Sequence, residues 1–139
     1  MSFGSYVAAV AEISVERETK IKIHRIIAAT DPGYAVNPAQ IERQVSGSFV
    51  YGLSALFYGD CTIRGGRVEQ ENFDTYNSMR IAEMPKVETI IMPTEHTPWG
   101  GVGEPTICVA APALLNAYFN ATGKRIRSIP LKNHGISFA

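Results

Sequence analysis

Between Asn37 and Phe57 the chain carries a pattern that only one local structure satisfies. Asn37 can cap a helix and Pro38 has the fixed φ of a first helical position. Ile41, Val45, Phe49, Leu53 and Leu56 then recur at helical spacing, which predicts a helix from about Pro38 to Tyr58. Gly47 and Gly52 lie inside it, each costing about 1 kcal/mol relative to Ala, so something should come close to the backbone there. On a helix of 3.6 residues per turn, Gln44, Gly47, Ser48 and Tyr51 share one small, polar side, away from the apolar face. Packing on another element and approach by a bound group both call for glycine, and the pattern alone does not separate them.

The flanking segments read as strands. Tyr6 to Val15 mixes small and β-branched residues, and Lys20 to Ala29 alternates before turning apolar at Ile26-Ile27; Glu16 to Thr19 makes a charged hairpin connection. Asp31-Pro32-Gly33 is a turn. A short hairpin is expected at Asp60 to Gln70 around Gly65-Gly66, and a further strand at Val87 to Met92, with the conformation of Phe73 to Met84 open. A last helix ends near Thr122 with Gly123 as its C-cap. Pro112 either lies in its first turn, so that it starts near Val109, or bends a longer helix. The class is α+β: a mixed, mostly antiparallel arrangement of short strands with two main helices.

Lys plus Arg and Asp plus Glu both total 13 in 139 residues, so no net charge draws the chain to nucleic acid or an acidic membrane. The length suits one domain or a piece of one. Cys61 and Cys108 form no CxxC pair and read as buried free thiols. The longest apolar run, Ile107 to Phe119, is too short to span a bilayer, and the N-terminus lacks the basic region of a signal peptide. His24, His96 and His134 lack the spacing that puts two ligands on one helix face, which argues against a protein-ligated metal.

Gly100-Gly101-Val102-Gly103-Glu104-Pro105 sets one carboxylate among glycines, just ahead of the last helix. Glycines let a bulky group approach the main chain, and Pro105 suits a first helical position, so Glu104 is expected at a helix entrance. A base must be ionised and within hydrogen-bonding reach of the proton it takes. The competing reading is an ordinary glycine turn with a surface carboxylate. His96 and Trp99, just upstream, either border a substrate channel or pack the loop, and Tyr6, Tyr34 and Tyr76 read as core or rim aromatics.

Asp31-Pro32-Gly33 with Asn37-Pro38, QVSGSFVYG at Gln44 to Gly52, GGVGEP at Gly100 to Pro105, and Ala121-Thr122-Gly123-Lys124-Arg125 together resemble the C-terminal portion of the molybdenum hydroxylases of the xanthine oxidase and aldehyde oxidase family. The likeness is greatest to the molybdopterin-binding (beta) subunit of the isoquinoline 1-oxidoreductase type and runs from about Phe3 to Asn133. It implies that residues 1–139 are the C-terminal part of a larger molybdopterin-binding domain, with 132–139 a tail, and that the subunit's N-terminal part lies elsewhere.

The resemblance also implies the chemistry. Glu104 is the general base that takes a proton from a metal-bound hydroxyl; the oxygen attacks an electron-poor carbon of an N-heterocycle or aldehyde, and hydride passes to a sulfido ligand. Gln44, Gly47, Ser48, Gly101, Val102 and Gly103 are implied cofactor contacts. The cofactor is molybdopterin, in its cytosine dinucleotide form, with molybdenum held by the pterin dithiolene. Electrons leave through an iron-sulfur or cytochrome partner subunit, because two cysteines cannot hold clusters that need four ligands. Thr106-Ile107-Cys108 departs from the glycine, threonine and prolines of many relatives. The alternative is a noncatalytic remnant or small interaction domain that does not bind molybdopterin alone. The compartment, cytoplasmic or periplasmic, is open.

Overall fold

A computed structural model describes residues 1–94 and 98–139; His96 therefore lies outside the described residues. Strands β1 (Tyr6–Glu16) and β2 (Lys20–Asp31) form an antiparallel pair along their whole lengths. Alternation decides which side of the ribbon is buried. Val7, Ala9, Ala11, Ile13 and Val15 turn to the helices, while Tyr6, Ala8, Val10, Glu12, Ser14 and Glu16 face outward. In the connection Arg17 and Glu18 hold positive φ, 48° and 61°. The Tyr118 hydroxyl donates to the Glu18 carbonyl at 2.9 Å and Lys124 pairs with the Glu18 carboxylate, so the last helix and the ATGKR segment fasten this unfavourable turn.

Helix α1 (Pro38–Phe57) begins where expected, with the Asn37 side chain accepting from the Gln40 N–H, and ends at Tyr58. The small antiparallel pair β3 (Ile63–Arg64) and β4 (Arg67–Val68) flanks the Gly65-Gly66 turn. The undecided segment Phe73 to Met84 is turns and a short 3-10 helix, Ile81–Glu83. Strand β5 (Lys86–Ile91) returns parallel to β2, and β6 (Ser137–Phe138) pairs parallel with β2 at its other end. The sheet is thus mixed, with β1 on one edge of β2 and β5 and β6 on the other. Parallel pairing of β5 needs a crossover, and α1 supplies it.

Helix α2 (Ile107–Thr122) starts two residues earlier than a first-turn Pro112 would require, so Pro112 is internal. The carbonyl four residues back, deprived of its donor, belongs to the exposed Cys108 and has water within reach. Both cysteines are exposed, not buried: Cys61 follows α1 in a loop and Cys108 lies on the outer side of α2. Gly123 closes α2 at φ 73°, and Arg125 lies 3.7 Å over the Phe119 ring while bonding the Asn116 side chain.

Both helices lie on one face of the sheet. Ile21, Ile26, Val45, Phe49, Leu53, Leu56, Phe57 and Leu114 are essentially inaccessible. Each such side chain contributes roughly 1.5–3 kcal/mol by leaving water. Phe138 of β6 stacks on Phe57 with centroids 3.8 Å apart, joining the chain's last residues to this core.

Candidate functional site

The two glycines of α1 have different surroundings. A Cβ at Gly52 would lie 2.5 Å from the Ala110 Cβ and 3.1 Å from the Ile107 carbonyl, so α2 crosses α1 there and only glycine fits. At Gly47 nothing stands within 4 Å of the same position. Close packing therefore explains Gly52 and leaves Gly47 unexplained by anything within the described residues. Gln44, Gly47 and Tyr51 are exposed along this side of α1, but Ser48 is buried at 4 %. Its hydroxyl donates to the Gln44 carbonyl at 2.8 Å, so it belongs with the packed face and not with the open polar side expected of it.

The glycine loop is held from outside its own neighbourhood. The Gly100 N–H donates to the Pro32 carbonyl at 2.9 Å and the Gly101 N–H to the Phe3 carbonyl at 2.8 Å. Ser5, fully buried, donates from Oγ to the Gly101 carbonyl at 2.6 Å. A Cβ at Gly100 would lie 2.1 Å from the Ser5 Oγ and 2.7 Å from the Gly4 carbonyl carbon. The loop and the Ser2–Ser5 turn thus interlock, and Gly4 at φ 78° is part of the fit. Nothing in the spacing of Phe3-Gly4-Ser5 signalled this role, because the bond joins residues 96 apart in sequence.

Ser5→Ala is expected to cost about 1 kcal/mol through loss of this hydrogen bond. Hydrogen exchange of the Gly100 to Glu104 amides should accelerate with it. Unchanged exchange in that segment would show that Ser5 does not hold the loop.

Glu104 is exposed and lies three positions before the first residue of α2; its carbonyl accepts the Ile107 N–H at 3.0 Å. Pro105 and Thr106 form a buried turn, so Pro105 is not the first helical residue and Glu104 stands just outside the helix. The Thr106 hydroxyl is buried without a hydrogen-bond partner among the described residues.

Gly103 and Gln44 come together. A Cβ at Gly103 would meet only the Gln44 Nε2, at 3.8 Å. The start of α1 and the glycine loop therefore share one corner, with open space at both Gly47 and Gly103. Beside it lies a cleft of about 280 Å³ lined by Tyr34, Gln40, Gln44, Trp99, Gly100 and Val102. Trp99 is 60 % exposed and packs on Tyr34 with centroids 5.6 Å apart. Tyr6 and Tyr76 are likewise rim residues, 56 % and 45 % exposed.

His24 bonds the Ser14 hydroxyl and His134 bonds Ser128. Among the described residues no three of His, Cys, Asp and Glu gather as metal ligands would.

Residues 1–85 match the family model of a molybdopterin cofactor-binding domain. Over 124 residues the chain is 33% identical to a membrane-bound aldehyde dehydrogenase (pyrroloquinoline-quinone) of Gluconacetobacter polyoxogenes, covering 88% of this chain and 16% of that protein. It is 27% identical over 129 residues to the isoquinoline 1-oxidoreductase subunit beta of Brevundimonas diminuta, covering 92% of this chain and 16% of the relative. The structure of a Cu,Mo-CO dehydrogenase superposes with a TM-score of 0.74 at 25% identity, over 86% of this chain and 16% of that one. The chain thus spans about a sixth of the length of these relatives. The first relative's name specifies a different cofactor from the family model, whose match takes in β1, β2 and α1.

Proposed function

The chain belongs to the molybdopterin cofactor-binding domain family, and from that premise we propose that it forms the glutamate-bearing wall of a molybdenum hydroxylase active site, with Glu104 as general base. The reaction is oxidation of an N-heterocycle or aldehyde with oxygen taken from water. The convergence of Gln44 with Gly103 carries this reading: the two segments implied in cofactor contact, 59 residues apart, meet at one open corner.

The residues present suit the group. Gly47 and Gly103 leave space at their Cα atoms that any side chain would reduce, Gln44 offers an amide donor and acceptor beside it, and the Thr106 hydroxyl next to the turn has no partner among the described residues. Gln44, Gly47 and the backbone of Gly101, Val102 and Gly103 would hold molybdopterin, in its cytosine dinucleotide form. Ser48 would act through its small size, since its hydroxyl is already given to the Gln44 carbonyl. When bound, the molybdenum and its pterin supply the oxidising centre. Glu104 would accept the proton of the attacking oxygen on its carboxylate, from a loop whose Gly100 and Gly101 are fastened to Pro32, Phe3 and Ser5. The remainder of a large subunit would complete the site, and an iron-sulfur or cytochrome partner would take the electrons.

Gly47→Ala separates this reading from simple packing. Because no atom meets the new methyl, the chain itself should gain up to about 1 kcal/mol from helix propensity, measured by denaturant unfolding. Molybdenum and pterin content of the assembled enzyme should nevertheless fall. Full cofactor loading in this variant would sink the assignment at Gly47. A chain that acquires no molybdenum even with the remainder of a large subunit would be the noncatalytic remnant.

A further inference from the structure

Strand β2 ends at Asp31, and this residue and its two neighbours each accept a donor from the segment that leads from β5 into the glycine loop. The Met92 N–H donates to the Thr30 carbonyl at 2.9 Å, the Thr94 hydroxyl to the Asp31 Oδ1, and the Gly100 N–H to the Pro32 carbonyl at 2.9 Å. Two of these acceptors are main-chain carbonyls, which any residue supplies. The third is a side chain, so at Asp31 the identity of the residue decides whether the bond exists. The same Oδ1 also accepts the Gly33 N–H at 3.1 Å, closing the turn that an aspartate makes with its own main chain two residues on. Gly33 has φ 79°, and both Pro32 and Gly33 are buried. The turn sets the direction of the Pro32 carbonyl, and a buried carbonyl turned away from Gly100 would lose its partner. One carboxylate oxygen thus ties Thr94 to the turn that receives Gly100 six positions further on.

We propose that Asp31 is a positioning residue for Glu104: it fixes the turn whose Pro32 carbonyl holds Gly100, and with it the near end of the stretch that carries the carboxylate. This rests on the reading of Glu104 as general base. The far end of that stretch is held by α2, since the Glu104 carbonyl accepts the Ile107 N–H. At the near end Ser5, which grips Gly101, immediately precedes Tyr6, the register partner of Asp31. The holds on Gly100 and Gly101 therefore come from adjacent positions of the β1–β2 pair. A reacting group displaced by about 1 Å can lose about 10²-fold in rate, even when the change is made far from the chemistry. Loosening Gly100 should act on Glu104 in this way.

Asp31→Ala removes both bonds to Oδ1, Thr94→Val removes one while keeping the shape of the side chain, and Asp31→Asn keeps an acceptor oxygen in place. In the full chain, hydrogen exchange of the Gly100 amide should quicken about fivefold in Asp31→Ala and by less in Thr94→Val. Asp31→Asn should lie closer to the parent than Asp31→Ala does. In the assembled hydroxylase, turnover per molybdenum should fall about tenfold to 10²-fold in Asp31→Ala, with KM little changed. The decisive measurement is the same substitution made together with Glu104→Gln. With no base left to position, Asp31→Ala should then lower turnover by less than about twofold. An equal fall in both backgrounds would overturn the proposal and make Asp31 a residue of general stability. Unchanged Gly100 exchange in Asp31→Ala and Thr94→Val alike would overturn it too. Full activity of Glu104→Gln alone would instead remove the general-base reading, while the exchange rates would still decide whether Asp31 holds the loop.

Discussion

Glu104→Gln should lower the turnover of the assembled hydroxylase by about 10²–10⁴, the range that a positioned general base supplies. The amide keeps the shape of the carboxylate and removes its capacity to take a proton. Because Glu104 is exposed and the described side-chain hydrogen bonds do not include it, the substitution should leave stability and the loop's geometry intact. Equal falls in kcat and kcat/KM with unchanged molybdenum content would identify an interaction made in the transition state. Activity near wild type would end the assignment. Loss of metal together with activity would instead make Glu104 a structural residue of the cofactor site.

Gly52→Ala should act in the opposite sense from Gly47→Ala, although both replace a glycine in the same helix. At Gly52 the new methyl enters the crossing with α2, 2.5 Å from the Ala110 Cβ and 3.1 Å from a main-chain carbonyl that cannot turn aside. Overpacking of this kind costs about 1–3 kcal/mol or more, against the propensity gain of about 1 kcal/mol. The net result is destabilisation, and because α2 carries the glycine loop at its N-terminal end, the loop should shift with it. Denaturant unfolding of the two variants side by side reads the sign directly. Equal effects at the two positions would show that the helices are not in contact at Gly52.

These two glycines mark what was legible. The length and phase of α1, the β1–β2 hairpin, the Gly123 stop and the presence of a glycine-framed carboxylate before α2 follow from spacing, capping and turn chemistry, which act over a few residues. The family resemblance followed from short segments and agrees with the family that residues 1–85 match. Ser48 shows the limit of helical phase. Placed with Gln44 and Gly47 by angle, it sits at the boundary of the two faces, and burial against the core claims it. The two cysteines were misplaced because a small apolar residue is usually inside, and neither lies on a face that the sheet covers.

The sequence by itself determined the β1–β2 hairpin, α1, the short β3–β4 hairpin, β5 and the end of α2, because hydrogen-bonding periodicity and the conformational preferences of Asn, Pro and Gly are local; β6 and the 3-10 turn at Ile81–Glu83 were not among them. Only the tertiary structure decided that Gly52 is closed while Gly47 is open, that β5 and β6 share one edge of β2, and that Ser5 holds Gly101 across 96 positions. Such contacts leave no periodic signature in the chain. They exist because burying the apolar faces of two helices on one sheet brings distant main-chain donors and acceptors into the interior, where each must find a partner.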